Sequence, residues 1–282
     1  MLKRLFLSVG AMKAGTTWLY EQLKGHPEIY FTPEKEIHYF ANAVGIENQL
    51  NHRSRLLRLK SVMEKYAKGN PTYISNNISE IEWYLKYASA KEIDNQWYES
   101  LFSGSGNRMC ADFSNLYCQM ESDGWKNVRA TAQEIKAIYT LRNPLDRIWS
   151  HYKFHLKWTG RENDVLNLGL SEFKNTLDKN YFWINAQYAQ NVTRLRKELT
   201  DSELMVLYFD DFRKFPEKML NDIQKFLGVS PVAPDEGDLE KKVNRTKDIP
   251  MPLEWKEYAL KKLEPEIAMM KDSGLWLSDW NS

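Results

Sequence analysis

The sequence predicts an α/β protein in which helices flank a central, mainly parallel sheet. Three segments of the same design carry this prediction, since each is a short apolar run followed directly by a helical pattern. These segments start near residues 5, 137 and 204. Strands that alternate with helices pair in parallel, because each helix returns the chain to the same edge of the sheet. A length of 282 residues suffices for one complete core, so we expect a single domain over residues 1–282.

The charge balance and the cysteine count exclude several classes of protein. The 39 Lys and Arg residues face 38 Asp and Glu, a net charge of +1, which argues against a nucleic-acid partner or a polybasic membrane binder. The apolar run at residues 5–9 is too short for a signal peptide or a membrane span. Cys110 and Cys118 are too few for a disulfide scaffold and lack the spacing of a zinc site. We expect a cytoplasmic protein without metal and without stable membrane insertion; the sequence leaves the oligomeric state open.

The first unit places a strand at residues 5–9 and a helix directly after it. The run is nearly continuously apolar, as in a strand that is covered on both faces. Thr17 can cap the helix and Gly25 can end it. Leu19 and Leu23 then share the face that points toward the sheet, because they are four residues apart.

The second and third units repeat this order. Residues 137–141 form a strand, after which Asn143 is suited to cap a helix and Pro144 to occupy its first position. Residues 204–209 form the third strand. A helix from about residue 216 to the stop at residue 228 follows it.

The remaining segments are less regular. Residues 42–95 are polar, helix-prone in places and broken by glycine, proline and asparagine, which predicts a helical insertion over the cleft. Residues 230–252 hold four of the ten prolines and read as a loop. A last amphipathic helix is expected over residues 253–270, with Trp276 and Trp280 packing the end of the chain onto the body.

The segment Gly-Ala-Met-Lys-Ala-Gly-Thr-Thr-Trp after the first strand has the features of a phosphate-binding loop. Free N–H groups at a helix start, together with the helix dipole, bind phosphate oxygens, and glycine allows close approach. The spacing from Gly10 to Gly15 matches a Walker A loop, but Thr16 stands where that motif has its lysine, and Lys13 lies inside the loop. We therefore expect a P-loop-like architecture that binds its nucleotide without the usual lysine and magnesium. A plain glycine turn between strand and helix is the alternative.

Residues 13–18, KAGTTW, resemble the 5′-phosphosulfate loop of sulfotransferases that use 3′-phosphoadenosine-5′-phosphosulfate (PAPS). Residues 141–152, LRNPLDRIWSHY, resemble the 3′-phosphate signature of the same family, which implies that Arg142 and Ser150 hold the 3′-phosphate. The residues agree with this assignment, because Arg142 leaves the carboxyl end of a strand, where open α/β sheets bind their ligands. A guanidinium group also suits phosphate geometry.

Further segments resemble the glycan sulfotransferases of the heparan sulfate type and their bacterial relatives. They are HPEIYFTPEKEIHYF at 26–40, NQWYESLF at 95–102 and ADFSNLY at 111–117. Two features depart from that pattern: the stretch between Phe40 and Trp97 is long, and the loop around residues 244–252 matches only loosely.

The resemblance implies a metal-free transfer of a sulfuryl group from PAPS, which leaves 3′-phosphoadenosine 5′-phosphate (PAP). Lys13 is then the candidate to neutralise charge on the leaving oxygen, since the transition state is loose and resembles that of phosphoryl transfer. An acceptor alcohol must lose a proton to a base. Glu36 and His38 are candidates that lie on one side of an extended segment, and the resemblance places the catalytic glutamate at Glu36 with His38 beside it.

Two sets of binding residues complete this prediction. The cofactor set is Lys13, Ala14, Gly15, Thr16, Thr17, Trp18, Arg142, Ser150, Phe209, Asn244, Arg245 and Lys247. Trp18 matches the position that stacks on adenine, although a core tryptophan there is nearly as plausible. The acceptor set is Glu36, His38, Tyr39, Trp97, Asp112, Ser114 and Tyr117.

The acceptor is predicted to be a hydroxyl on a carbohydrate, a lipid or another small metabolite. The balanced net charge and the aromatic residues Trp83, Tyr84, Tyr87, Trp97 and Tyr98 favour a smaller or less charged acceptor over a polysulfated polymer. Two rivals remain. A P-loop kinase would need the missing GK[ST] motif, and a non-catalytic PAP-binding protein would have no use for Glu36.

Overall fold

The computed structural model describes residues 1–46, 49–165, 167–234 and 249–281. Its strands are β1 (Leu2–Gly10), β2 (Ile29–Phe31), β3 (Met109–Asp112), β4 (Ala132–Leu141) and β5 (Leu204–Tyr208). The α-helices are α1 (Thr16–Leu23), α2 (Tyr39–Ala43), α3 (His52–Ala67), α4 (Pro71–Asn76), α5 (Ile78–Ser89), α6 (Asn95–Ser100), α7 (Ser122–Thr131), α8 (Pro144–Trp158), α9 (Leu170–Leu177), α10 (Asn180–Ile184), α11 (Tyr188–Glu198), α12 (Phe209–Lys214), α13 (Pro216–Leu227) and α14 (Leu253–Asp272). Short 3₁₀ turns occur at Tyr117–Gln119, Glu162–Asp164 and Ser278–Asn281.

The five strands form one sheet in the order β2-β3-β1-β4-β5, and every neighbouring pair is parallel. The predicted α/β class is therefore confirmed. The central strand β1 pairs with β3 through Leu5 and Cys110 and with β4 through Leu5 and Ile135. From Leu5 to Gly10 it is buried, because helices cover both faces of the sheet. The chain leaves β1, β3 and β4 at one edge, which is where parallel sheets bind ligands.

The three predicted strand–helix units are all present. Leu19 and Leu23 are fully buried beneath α1, and Asn143 caps α8 by accepting hydrogen bonds from two backbone N–H groups. The prediction that Thr17 caps α1 is wrong. Gly15 occupies the cap position with a left-handed backbone (φ 98°), so Thr17 lies within the first helical turn.

The segment predicted to be a helical insertion contains α3, α4 and α5. Arg55 joins this segment together, because its buried guanidinium donates hydrogen bonds to the carbonyl oxygens of Leu50, Tyr87 and Lys91. Its backbone partners are uncharged, so the interaction satisfies donors rather than neutralising the charge. Among the described residues, no helix combines the length and apolar composition that crossing a membrane requires.

The aromatic residues expected to favour a small acceptor belong to the core instead. Trp83, Tyr84, Tyr87, Trp97 and Tyr98 are at most 7% exposed. The rings of Trp83 and Tyr87 stack at 5.1 Å between centroids. These residues therefore do not favour a small acceptor, since composition alone does not separate a core from a cleft.

The end of the chain packs as predicted. Trp280 is 6% exposed, and its indole Nε1 donates a hydrogen bond to Asp210 Oδ2 at 3.1 Å. The last predicted helix is α14. Most of the predicted loop 230–252 lies outside the described residues.

Candidate active site

The loop after β1 lies at the ligand-binding edge of the sheet. Ala11 N donates to Thr140 O at 3.1 Å, which fixes the loop against β4. Gly15 permits a close approach, because a Cβ atom there would lie 2.6 Å from Cδ2 of Phe209. Lys13 adopts a left-handed backbone with φ 66°, a strained conformation of the kind that concentrates at functional sites.

The Lys13 side chain is a poorly neutralised cation. Its Nζ lies 4.4 Å from the ring centroid of Phe154. Burial, followed by the positive charges of Arg142, Lys35 and Lys157, lowers the pKa of Lys13 to about 8, and the charge of Glu36 opposes this only in part. An anion bound here would relieve that repulsion.

Arg142 faces the same loop from the end of β4. Its Nη1 donates to Lys13 O at 3.3 Å, and its guanidinium lies 4.8 Å from the ring centroid of Phe209. The buried Nε has no hydrogen-bond partner. Burial also lowers the pKa of Arg142. A buried donor without an acceptor is costly, and an anionic ligand is the partner that fits it.

The helix start provides the next predicted contacts. Ala14 is buried, and Thr16 opens α1 with its side chain nearly covered. Thr17 Oγ1 accepts a hydrogen bond from Lys35 Nζ at 3.0 Å. Trp18 is half-buried and its ring stacks on Phe212 at 4.7 Å between centroids, so one face of the indole is already covered.

The remaining predicted cofactor residues are distributed differently. Phe209 begins α12 and lies between Gly15 and Arg142. Ser150 lies in the second turn of α8 and is partly exposed. Asn244, Arg245 and Lys247 lie outside the described residues.

Glu36 is a carboxylate held by neighbours on both oxygens. Its Oε2 lies 3.4 Å from His38 Nε2, and its Oε1 accepts from Asn115 Nδ2 at 3.1 Å. Burial opposes ionisation, but the His38 hydrogen bond and charge, the Lys35 charge and the Asn115 hydrogen bond together hold the pKa of Glu36 below its usual value. The side chain is still 42% exposed, so an acceptor can reach it.

His38 is fixed by its backbone. It has φ 58° and caps α2, and its N–H donates to Ser114 Oγ at 2.8 Å. The ring is oriented by its contact with Glu36 and packs edge-on against Tyr117. Its buried Nδ1 has no hydrogen-bond partner.

Three residues predicted to face the acceptor lie beneath the site instead. Asp112 Oδ1 accepts from Ser114 Oγ at 2.6 Å, and Oδ2 accepts from Tyr117 at 2.8 Å and Tyr98 at 3.0 Å. Asp112, Ser114 and Tyr117 are at most 1% exposed, and burial raises the pKa of Asp112. Because their polar groups bond to one another, they support the His38 backbone rather than contact an acceptor.

Tyr39 and Trp97 are likewise covered, which corrects their predicted contact with the acceptor. They are 4% and 7% exposed, and Tyr39 donates through its hydroxyl to Asn95 Oδ1 at 2.7 Å. Their rings pack at 5.8 Å between centroids. Both residues help to fix α2 against α6.

Two neighbours of Glu36 were not among the predicted site residues. One is Lys35, which reaches Thr17. The other is Glu34, whose Oε1 accepts from Arg58 Nε at 2.5 Å and from the Tyr84 hydroxyl at 2.7 Å. Helices α3 and α5 are thereby tied to the segment that carries Glu36. Alternating side chains of an extended segment point in opposite directions, which is the one local signal that Lys35 and Glu36 serve different surfaces.

The donor set of the site is suited to anions. Within the ranges that the structure describes, no three His, Cys, Asp or Glu side chains are grouped to hold a metal ion. The charges of Arg142, Lys35 and Glu36 all act on Lys13 at the loop. Such a site can hold a phosphate or sulfate ester beside a hydroxyl group.

The chain belongs to the sulfotransferase family, whose model matches residues 6–234. The family and the fold support sulfuryl transfer as its activity. A sulfotransferase from Alicyclobacillus acidocaldarius has the same fold, with a TM-score of 0.68, 24% identity and full coverage of both chains. The sulfotransferase domain of the Synechococcus PCC 7002 olefin synthase aligns with a TM-score of 0.52 and 15% identity, over 94% of this chain and 96% of that one.

A relative by sequence is the membrane-associated sulfotransferase kil1 of Dictyostelium discoideum. It is 26% identical over 156 residues, 55% of this chain. The match spans 24% of that protein's length, so it relates this chain to only part of the relative.

Proposed function

We propose that the protein transfers the sulfuryl group of PAPS to an acceptor hydroxyl, with Glu36 as the general base. The observation that carries this proposal is the group of poorly neutralised cations at the loop, with a partnered carboxylate opposite them. PAPS supplies an activated sulfuryl group on a phosphate leaving group. Its negative charge would also neutralise these cations.

The residues present fit such a ligand. The unpartnered Nε of Arg142 offers a donor for a phosphate, and Gly15 leaves room for close approach of the backbone. Arg142 and Ser150 are assigned to the 3′-phosphate, as the family resemblance implies. The N–H groups at the start of α1, with Thr16 and Thr17, are assigned to the 5′-phosphosulfate.

Lys13 is assigned to the leaving side of the reaction. Its ammonium can neutralise charge that develops on the bridging oxygen as the S–O bond breaks. Burial and like charges lower its pKa to about 8 in the ligand-free protein, so the negative charge of the bound cofactor would hold Lys13 in the ammonium form that this role requires.

Glu36 is assigned to the acceptor side. It is ionised at neutral pH, since its pKa lies below the usual value for a glutamate. It can accept the acceptor's proton as the new S–O bond forms, while His38 and Asn115 hold its two oxygens in place.

The acceptor class stays broad: a carbohydrate, a lipid or another small metabolite. The names of the relatives include a membrane-associated protein and a domain of an olefin synthase, and they therefore favour no single class. The cytoplasmic location remains a prediction from the sequence. An acceptor screen with sulfur-labelled PAPS is the direct way to identify the substrate.

Calorimetry tests the cofactor assignment without an acceptor. We expect PAP to bind much more tightly than AMP, because only PAP carries the 3′-phosphate. Equal affinities would contradict the assignment of Arg142 and Ser150. Tight binding of Mg²⁺-ATP with phosphoryl transfer would instead support a kinase, and PAP binding without any turnover across the screen would support a non-catalytic PAP-binding protein.

A further inference from the structure

Lys35 reaches from the acceptor side of the site to the loop side. It precedes the candidate base directly, yet its ammonium points to α1, where Nζ donates to Thr17 Oγ1 at 3.0 Å. The same Nζ lies 5.6 Å from the ring centroid of Tyr20. Thr17 is in the first turn of α1, immediately after the loop. Lys35 therefore lies where a group held by the loop would meet the acceptor.

No carboxylate in the described chain forms an ion pair with Lys35. Burial lowers its pKa, although the charges of Glu36 and Glu21 act in the opposite direction. Lys24, at the end of α1 opposite to Thr17, differs from Lys35 in both respects. It forms an ion pair with Glu21 at 2.5 Å and is half exposed. A half-buried ammonium with a single hydroxyl partner has donors to spare.

The charges of Lys35 and Lys13 also act on each other. Lys35 is one of the three cations that lower the pKa of Lys13. Two cations that face one loop repel each other unless an anion lies between them. A group transferred from the loop to an acceptor at Glu36 would pass close to both cations.

We propose that Lys35 binds the non-bridging oxygens of the sulfuryl group and orients that group toward the acceptor. This inference rests on the proposed function. In the reaction, the bond between sulfur and the bridging phosphate oxygen breaks with its electron pair leaving on PAP. A bond forms between sulfur and the acceptor oxygen, whose proton passes to Glu36. Lys35 keeps its proton and holds the oxygens that move with sulfur.

The position of Lys35 predicts a selective effect on binding. In a loose transition state, charge grows on the leaving oxygen rather than on the sulfuryl oxygens. Lys35 should therefore act mainly on the affinity for PAPS, whereas Lys13 acts on the rate. PAP lacks the sulfuryl group, so its affinity should depend on Lys35 less than the affinity for PAPS does.

The test compares the dissociation constants of PAPS and PAP by calorimetry, without acceptor, for wild type, Lys35→Met and Lys35→Gln. Gln keeps a hydrogen-bond donor but no charge. We expect the affinity of both variants for PAPS to fall about 10-fold relative to their affinity for PAP, the size of one lost charge-assisted hydrogen bond. Lys24→Met is the matched control and should change neither constant. Ligand-free melting temperatures identify any variant that fails to fold.

The dissociation constant of PAPS divided by that of PAP decides the outcome. A ratio that rises in either folded variant supports the proposal. A ratio equal to that of wild type overturns it, whether both affinities fall together, as a phosphate contact or a structural role would produce, or neither changes. If the wild-type protein binds neither PAPS nor PAP, the proposed function itself fails, independently of Lys35.

Discussion

The two halves of the candidate site are built differently. On the loop side, burial lowers the pKa values of both Lys13 and Arg142, and the positive charges of Arg142, Lys35 and Lys157 lower that of Lys13 further. On the base side, Glu36 has partners on both oxygens, and the Asp112 network beneath it supports His38. The loop side therefore needs an anionic ligand, whereas the base side is arranged before any ligand binds.

This difference has consequences for stability as well as for binding. Unpaired cations at the loop cost folding free energy that the ligand restores by linkage. In the segment that carries Glu36, the charged groups already have partners within the protein. Glu34, Lys35 and Glu36 each form a hydrogen bond with a different part of the molecule. Variants on the two sides should therefore separate ligand affinity from turnover.

The largest effect is expected for Glu36→Gln. This change keeps the shape of the side chain but removes the base, so turnover should fall by about 10² to 10⁴. PAP affinity should stay at the wild-type value, because the loop side is unchanged. Transfer of labelled sulfate to an acceptor found by screening measures the first, and calorimetry the second. Wild-type turnover in this variant would move the base to His38 or elsewhere.

Arg142→Met tests the loop side. Removal of a charged donor to the 3′-phosphate should weaken PAP binding by about 10- to 100-fold and leave AMP binding unchanged. The control is Arg129→Met, which removes a guanidinium that pairs with Glu203 far along the chain. Equal losses for PAP and AMP would mean that Arg142 maintains the loop rather than reading the 3′-phosphate.

The pH dependence of PAP binding tests the charge of Lys13. In the ligand-free protein its pKa is about 8, and a bound anion raises it, so binding takes up a proton near that pH. Affinity should fall above pH 8, by up to about tenfold per pH unit. Calorimetry in buffers of different ionisation enthalpy detects the proton uptake. Lys13→Met should abolish it, and persistent uptake in that variant would assign the proton to another group.

The smallest effect is expected for Tyr84→Phe, which removes one hydrogen bond to Glu34. The lost bond should lower the free energy of unfolding by about 1 kcal/mol. A modest loss of turnover with unchanged PAP affinity would show that α5 positions the base segment. Tyr73→Phe, at an exposed position on α4, serves as the control. Equal turnover in the two variants would mean that the Glu34 contacts contribute to stability and not to catalysis.

Local patterns predicted the parallel sheet, the position of the loop after β1 and the start of α8 correctly. Apolar runs, the spacing of Gly10 and Gly15 and the Asn143 cap are signals that lie within a few residues of one another. The error at Thr17 has the same local origin, since glycine at position 15 allows the helix to begin earlier.

The acceptor side was predicted less well because its contacts join distant parts of the chain. Tyr84 reaches Glu34 across 50 residues, and Lys35 reaches Thr17 across 18. Neither pair has a spacing that a sequence pattern could reveal. Asp112 and Trp97 are buried and therefore do not line the acceptor surface. Composition does not distinguish a residue that lines a cleft from one that lies below it.

By itself the sequence determined the fold class and the family, and it predicted a phosphate-binding loop and the candidate pair Lys13 and Glu36. Short-range periodicity and motif spacing are sufficient for these features. Only the tertiary structure decided which polar groups remain without partners and which are satisfied, because this depends on packing between segments that are remote in the chain. The tertiary structure also brought Lys35 against Thr17. The proposal that Lys35 holds the sulfuryl group rests on that contact.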